Sequence, residues 1–245
     1  MRLAWADVAR GAAMVLVVFA HSVQLMGAYG WTLGRLDTVN LYLTAVRMPL
    51  FFVVSGFLAA RAIRRGWREL FASRLALLIY MYVLWGAVRA VWFTVAPWPL
   101  DDTSAWLAFA VSPIWPTNGL WFLYALVLYL VIGRLTARWR SWVVFPLAGL
   151  VSLAAASDLV PTFGNGVWRS IALYALFFLL GARVPGLWRS LAERNGYLAA
   201  IAAAAAAAAA VVVFTLLPDS ARGVGRVALS IVVVGAGIVL AATLS

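Results

Sequence analysis

Long apolar runs separated by short polar segments dominate the chain. A run of about 17 to 25 residues is long enough to cross a bilayer as an α-helix. The pattern therefore predicts an all-α, polytopic transmembrane bundle of about eight helices, the fourth and fifth of them short. The predicted helices cover residues 8–28, 39–63, 72–95, 118–133, 141–157, 167–185, 197–217 and 224–244. Another apolar stretch, 105–112, is too short to cross, and we expect it to lie at the membrane interface.

The composition agrees with this pattern. Of the 245 residues, 66% are hydrophobic and 11% are charged, and the mean hydropathy of +0.99 lies far outside the range of soluble domains. The absence of cysteine excludes disulfides and a thiol nucleophile. With a single histidine as well, no metal site is expected. We interpret residues 1–245 as a single integral-membrane domain.

The basic residues, all of them arginine, predict the orientation of the bundle. A cytoplasmic N-terminus places 13 arginines at inner flanks and 4 at outer flanks, which agrees with the positive-inside rule. The inner set is Arg2, Arg10, Arg61, Arg64, Arg65, Arg68, Arg74, Arg134, Arg138, Arg140, Arg183, Arg189 and Arg194, and the outer set is Arg35, Arg169, Arg222 and Arg226. This distribution predicts a multi-pass protein of the cell membrane, and it explains the net charge without a nucleic-acid partner.

One face of the first predicted helix carries polar residues at both of its ends. Arg10 and His21 are eleven residues apart. At about 100° per residue they share one face, offset by about 20° and separated by about 16 Å along the axis. Asp7 lies on that face too, and we call Asp7, Arg10 and His21 the polar stripe. Titratable groups within a bilayer usually face a polar interior or a substrate path, so this stripe is the strongest functional candidate.

Two more arginines, Arg47 and Arg89, enter predicted helices two and three at about the depth of His21. Arginine in hydrocarbon costs about 2.5 to 3.5 kcal/mol on insertion scales. The matching depths therefore predict a cavity, open to the outer side, in which both arginines contact substrate. A neutral imidazole in such a cavity is a competent general base. The alternative is a histidine used in packing and arginines that snorkel to the interface.

The inner side offers candidates for binding phosphate. Five arginines crowd the short loop after predicted helix two: Arg61, Arg64, Arg65, Arg68 and Arg74. Most of them need no explanation beyond an ordinary basic flank. Guanidinium groups also suit phosphate oxygens through forked hydrogen bonds. Arg10 and Arg74 are the best candidates for this role, because each begins a helix.

Two other positions are weaker candidates. Ser55-Gly56 in predicted helix two allows the close approach of a neighbouring helix or a ligand chain, although packing is the more common reason for such a pair. Trp121 opens predicted helix four at the outer face, where aromatic residues commonly form an interfacial belt.

Three motifs resemble those of acyltransferase family 3, a family of membrane O-acyltransferases. They are Trp5-Ala-Asp7-Val-Ala-Arg10-Gly11 with ten residues between Arg10 and His21-Ser22, then Pro49-Leu-Phe-Phe-Val-Val-Ser55-Gly56-Phe57-Leu58, and then Leu120-Trp121-Phe122-Leu123. All three lie in order within about the first 130 residues. The resemblance implies an enzyme that moves an acyl group, often acetyl from acetyl-CoA, to a hydroxyl of an extracytoplasmic sugar, lipid or small molecule.

The resemblance also implies roles for single residues. His21 would be the catalytic base, Arg10 its partner on the inner side, with Asp7 in the same motif, and Trp121 part of the site. Arg74 matches the first position of the family's Arg-x-x-Arg pair, whose second position is Leu77 here. The expected partners are acyl-CoA as donor substrate, a hydroxyl-bearing acceptor and the lipid bilayer, with no tightly bound cofactor. Transfer is either direct or through an acyl-histidine intermediate.

Two other functions stay open. One is a transporter or flippase in which His21, Arg47 and Arg89 line an anion path, although no inverted repeat is visible between the halves. The other is an inactive, C-terminally shortened family member. It is favoured by Leu77, by the usual family count of about ten helices, and by a chain that stops at Ser245 without a basic flank.

Overall fold

A computed structural model describes residues 3–96, 104–116 and 118–245, and within these ranges the protein is all-helical. The ten helices are α1 (Ala4–Ala28), α2 (Arg35–Arg64), α3 (Trp67–Val95), α4 (Ala105–Val111), α5 (Trp121–Leu135), α6 (Ser141–Ala156), α7 (Gly166–Arg183), α8 (Pro185–Ala192), α9 (Tyr197–Thr215) and α10 (Asp219–Thr243). In the described part of the chain, six are long and apolar enough to cross a membrane, namely α1, α2, α3, α7, α9 and α10.

The predicted architecture is confirmed. All eight predicted helices are present, and the fourth and fifth, α5 and α6, are the short ones. The predicted short stretch at 105–112 forms α4. The pattern missed α8, which follows α7 directly because Val184 leaves helical geometry and Pro185 starts a new helix. Arg2 and residues 97–103 lie outside the described residues.

Helix α2 occupies the centre of the bundle and packs against α1, α5, α7 and α10. Its closest partner is α7, because Gly56 of α2 and Gly181 of α7 bring the two backbones into contact. A Cβ atom on Gly56 would overlap the carbonyl oxygen of Phe178, and a Cβ atom on Gly181 would overlap that of Val53. Small residues commonly permit this approach between membrane helices.

The buried aromatic core lies beside this contact. The Phe52 ring packs against Tyr129 at 5.1 Å and against Tyr174 at 5.7 Å between ring centroids. The buried Tyr129 hydroxyl donates to the carbonyl oxygen of Ile171 at 2.6 Å. These contacts join α2, α5 and α7 near the middle of the three helices, and they hold the helices in a fixed arrangement.

Two peripheral helices differ from this core. The alanine-rich α9 packs mainly on α10 and has no buried residue. Helix α3 packs on α4 and α5, and it contains a π-helical turn at Phe71–Leu75. Such turns cost regular hydrogen bonding and often occur at functional sites. We keep the predicted orientation below, so the inner end of the bundle is the one that carries Arg10, Arg74 and Arg134.

Candidate active site

A cavity of about 430 Å³ lies between the outer halves of α1, α2, α5 and α7. Its volume falls in the usual range for small-molecule sites. The lining residues are Met14, Val17, Ala20, His21, Val23, Gln24, Gly27, Asp37, Asn40, Thr44, Arg47, Met48, Phe51, Gly119, Trp121, Phe122, Ser170 and Tyr174. The cavity combines an imidazole, a guanidinium, a carboxylate, amides and hydroxyls with aromatic walls.

Helix α1 contributes His21 to this cavity. Met14, Val17, His21 and Gln24 all line it, and their spacing of three and four residues marks one helix face. The His21 side chain is exposed to the cavity. Arg10 lies four residues before Met14 on the same face, about 6 Å further toward the inner end. The face therefore continues from the cavity toward the inner side.

Helix α2 contributes Arg47, which is half-buried and held by its own helix. Its Nη1 donates to the Asn40 Oδ1 at 2.6 Å, and its Nη2 donates to the Thr44 Oγ1 at 2.9 Å. Asn40 and Thr44 line the cavity as well. Two hydrogen bonds to one guanidinium restrict its rotamers, so the positive charge has a defined position. The predicted convergence of His21 and Arg47 on one cavity is present in the structure.

Aromatic rings form another wall of the cavity. Trp121, at the start of α5, stacks on Tyr174 of α7 with centroids 5.9 Å apart and planes at 23°. It also contacts Phe52 at 5.9 Å. Trp121 is half-buried among these rings, and it forms part of the cavity wall.

The sequence pattern missed Tyr174 and the position of Arg226 beside it. Tyr174 is buried, and Arg47 and Arg226 both lie close enough to interact electrostatically with its hydroxyl. Helix α10 begins five residues earlier than predicted, so Arg226 lies two turns inside it and not at its outer end. The side chains near the cavity thus carry more positive charge than the pattern indicated.

Arg89 of α3 is not among the residues that line the cavity, but it lies beside one of them. Its guanidinium carbon is 4.6 Å from the centroid of the Phe93 ring. Its Nη1 atom approaches Gly119, a lining residue in the 3₁₀ turn (Asn118–Leu120) that precedes α5. The structure therefore brings His21, Arg47, Arg89 and Trp121 to one region.

The remaining candidates lie elsewhere. Asp7 and Arg10 are exposed in the first two turns of α1. Arg74 lies in the π-helical turn of α3, where its Nη2 donates to the Leu58 carbonyl oxygen at 3.4 Å. Ser55 is half-buried in α2, two turns inward of Arg47, and it does not line the cavity.

Two other inner arginines have structural contacts with the ends of helices. Arg134 donates to the carbonyl oxygens of Ile63 and Arg64 at the end of α2, at 3.3 and 3.5 Å. Arg183 donates to Thr136 and Trp139 just after α5. The Arg134 contacts satisfy carbonyl groups in the last turn of α2 that lack partners within the helix, and positive charge is favourable there.

The fold and the cavity define a multi-pass membrane protein with a histidine and an arginine facing one polar space between its helices. The sequence model of a protein family, described as an acyltransferase domain, matches residues 3–245 of the chain. The chain belongs to this family, acyltransferase family 3, and the resemblance drawn from its motifs is confirmed.

One relative is the inner membrane protein YcfT of Escherichia coli (strain K12). It is 29% identical to the chain over 222 residues, a stretch that covers 80% of the chain and 61% of YcfT. The chain thus spans about three fifths of the length of this relative. No solved structure matches the chain.

Proposed function

We propose that the protein is an O-acyltransferase of the cell membrane. It moves an acyl group, with acetyl as the first candidate, from cytosolic acyl-CoA to a hydroxyl of an extracytoplasmic carbohydrate, lipid or small molecule. Membership in the acyltransferase family supports the reaction class. The name of the relative YcfT, an inner membrane protein, supports the location.

The observation that carries the proposal is the position of His21. The single imidazole of the chain lines a cavity of small-molecule size, and the fixed guanidinium of Arg47 lines the same cavity. As general base, His21 removes the proton of the acceptor hydroxyl while that oxygen attacks the acyl carbon. General base catalysis contributes about 10² to 10⁴ in rate.

The cavity wall around His21 offers polar partners to the acceptor, namely Gln24, Asp37, Asn40 and Arg47. Trp121 and Tyr174 provide flat apolar surface beside them. A sugar ring offers hydroxyls at its edge and C–H groups on its face, and it fits such a mixed wall. The lining therefore supports a polyhydroxylated acceptor or the head group of a glycolipid.

The donor approaches from the inner end. Arg10 and Arg74 are exposed there and suit the phosphates of acyl-CoA. Met14 and Val17 lie between Arg10 and His21 on the same face of α1, and they offer apolar surface to the pantetheine arm. The helical distance of about 16 Å between Arg10 and His21 is shorter than this extended arm.

The test measures acyl transfer by the full chain in nanodiscs. Labelled acetyl-CoA is added together with envelope glycans and lipids from a strain that lacks the gene, and mass spectrometry looks for products heavier by one acetyl group. We expect His21→Ala to lose transfer by about 10² or more. Val15→Ala is the matched control, because Val15 is exposed on α1 and does not line the cavity.

A folded His21→Ala protein with the wild-type rate of transfer would overturn the proposal. So would uptake or lipid translocation by the wild-type protein without any cleavage of the thioester, which is the result that a transporter or flippase gives. Loss of transfer in His21→Ala, with Val15→Ala unchanged, supports the proposal.

A further inference from the structure

Gly119 marks a small space between two groups that come from distant parts of the chain. Apart from Gly119 and its two chain neighbours, the heavy atoms nearest to an ideal Cβ atom on Gly119 would be Arg89 Nη1 at 3.7 Å, His21 Nε2 at 3.9 Å and His21 Cε1 at 4.0 Å. The imidazole of α1 and the guanidinium of α3 thus both face this position.

Neither backbone strain nor crowding accounts for a glycine at this position. Gly119 is absent from the glycines with positive φ. A Cβ atom there would make only ordinary van der Waals contacts, in contrast to Gly56 and Gly181, where it would overlap backbone atoms. The missing side chain therefore leaves a methyl-sized space unfilled beside both His21 and Arg89.

We propose that the reacting acyl carbon lies in this space above Gly119 and that Arg89 is the catalytic residue that stabilises the oxyanion. This inference rests on the proposed function and deepens it. Acyl transfer needs a base on the side of the nucleophile and a fixed donor beside the carbonyl oxygen. His21 and Arg89 face one position from two helices, and they meet both needs.

The reaction balances with these two side chains alone. His21 Nε2 takes the proton of the acceptor hydroxyl as its oxygen bonds to the thioester carbon. The carbonyl π electrons move to oxygen, and the oxyanion accepts hydrogen bonds from the Arg89 guanidinium. When the carbonyl re-forms, the carbon–sulfur bond breaks and the CoA thiolate takes the proton from His21. The products are an ester and CoA thiol.

The surroundings of Arg89 suit this role. The guanidinium lies 4.6 Å from the centroid of Phe93, a residue one turn further along α3, and this cation–π contact restricts its position. A guanidinium has five N–H donors. The Nη1 atom, which carries two of these donors, is the Arg89 atom that approaches Gly119.

Gly119→Ala tests the open space, and Arg89→Gln tests the charge. Transfer from labelled acetyl-CoA is measured with the full chain in nanodiscs, as a function of donor and acceptor concentration. We expect Gly119→Ala to keep the wild-type thermal unfolding temperature and to lose about tenfold or more in transfer, because a methyl group displaces the reacting carbon. Gly149→Ala is the control, because a Cβ atom there has nothing within 4 Å.

We expect Arg89→Gln to lower kcat by about 10² to 10³ while the KM for acetyl-CoA changes less than threefold, since the lost contact forms with the oxyanion and not with the bound donor. Arg89→Lys keeps the charge, and we expect it to recover part of the loss. If Arg89→Gln fails to fold, Gly119→Ala decides the test.

The outcomes separate this inference from the proposed function. If the wild-type protein transfers acetyl, His21→Ala does not, and folded Gly119→Ala and Arg89→Gln retain the wild-type kcat, only the inference is wrong. If the wild-type protein transfers nothing, or His21→Ala transfers normally, the proposed function fails and the inference fails with it.

Discussion

The two ends of the polar stripe on α1 lie in different surroundings. At the outer end, His21 lines a cavity in which Arg47 is held by Asn40 and Thr44. At the inner end, Asp7 and Arg10 are exposed in the first turns of the helix. One face of α1 thus runs from a cavity with fixed side chains at the outer end to exposed charged residues at the inner end.

This difference matches two different physical tasks. Bond formation needs groups held in place before the substrate arrives, because reorganisation during the reaction raises the barrier. Capture of a phosphate-bearing donor needs positive charge that is accessible to water, where affinity is modest and depends on salt. Under the proposed function, we expect substitutions at the outer end to lower the rate of transfer and substitutions at the inner end to raise the KM for acyl-CoA.

The largest expected effect is a loss of stability when the contact between α2 and α7 is disturbed, because these two helices position the cavity. Gly181→Ala places a methyl group against the Val53 carbonyl oxygen and forces α2 away from α7. Overpacking a buried contact costs about 1 to 3 kcal/mol and occasionally more, and we expect this rigid backbone contact to cost at least the upper value. Thermal unfolding and gel filtration in detergent measure the loss, with Gly149→Ala as the control. A Gly181→Ala protein as stable as Gly149→Ala would contradict the packing.

The next largest effect is expected at the outer end of the stripe, where Arg47 is tested. Arg47→Gln keeps a polar side chain but removes the fixed charge beside Tyr174. Hydrogen bonds to a charged group contribute about 1.5 to 3 kcal/mol, so we expect transfer to fall about 10- to 100-fold at low acceptor concentration. The loss should persist in high salt, because the site is partly shielded from water.

Arg35→Gln is the matched control for Arg47→Gln. Arg35 begins the same helix, is exposed and does not line the cavity. Equal losses in the two variants would show that general outer charge matters and that the cavity does not.

The smallest effect concerns the inner end. Arg10→Gln and Arg74→Gln each remove one exposed charge, and exposed charge pairs contribute about 0.2 to 1 kcal/mol. We expect the KM for acetyl-CoA to rise about two- to fivefold, with kcat unchanged and with a weaker dependence on salt. Steady-state kinetics at two ionic strengths provide the measurement.

Arg138→Gln is the control at the inner end, because Arg138 is an exposed inner arginine in the loop after α5. A fall in kcat for Arg10→Gln, without a change in KM, would show that the inner end takes part in the chemistry and would remove the contrast between the two ends.

Sequence patterns predicted the helices well, because an apolar run long enough to cross a bilayer is hard to mistake. The short α8 escaped this reasoning, since its eight residues include a proline, a glycine and an arginine. The start of α10 was placed too late because Asp219 and Arg222 belong to the helix but are not apolar.

The site was only partly predictable. His21 and Arg47 were recognisable because a charged or titratable group within an apolar run is costly. Gln24 follows His21 by three residues, so helix periodicity alone could have placed it on the same face. Tyr174 and Gly119 had no such signal, because only the packing of distant helices brings them to the cavity.

The glycine contact between α2 and α7 also limits how the protein moves. Gly56 and Gly181 leave no side chain between the two backbones, so α2 and α7 have little room to slide or rotate past each other. Arg47 and Tyr174 belong to this closely packed pair. We therefore expect any opening that admits an acceptor or releases a product to come from movement of the surrounding helices, while α2 and α7 keep their relative positions throughout turnover.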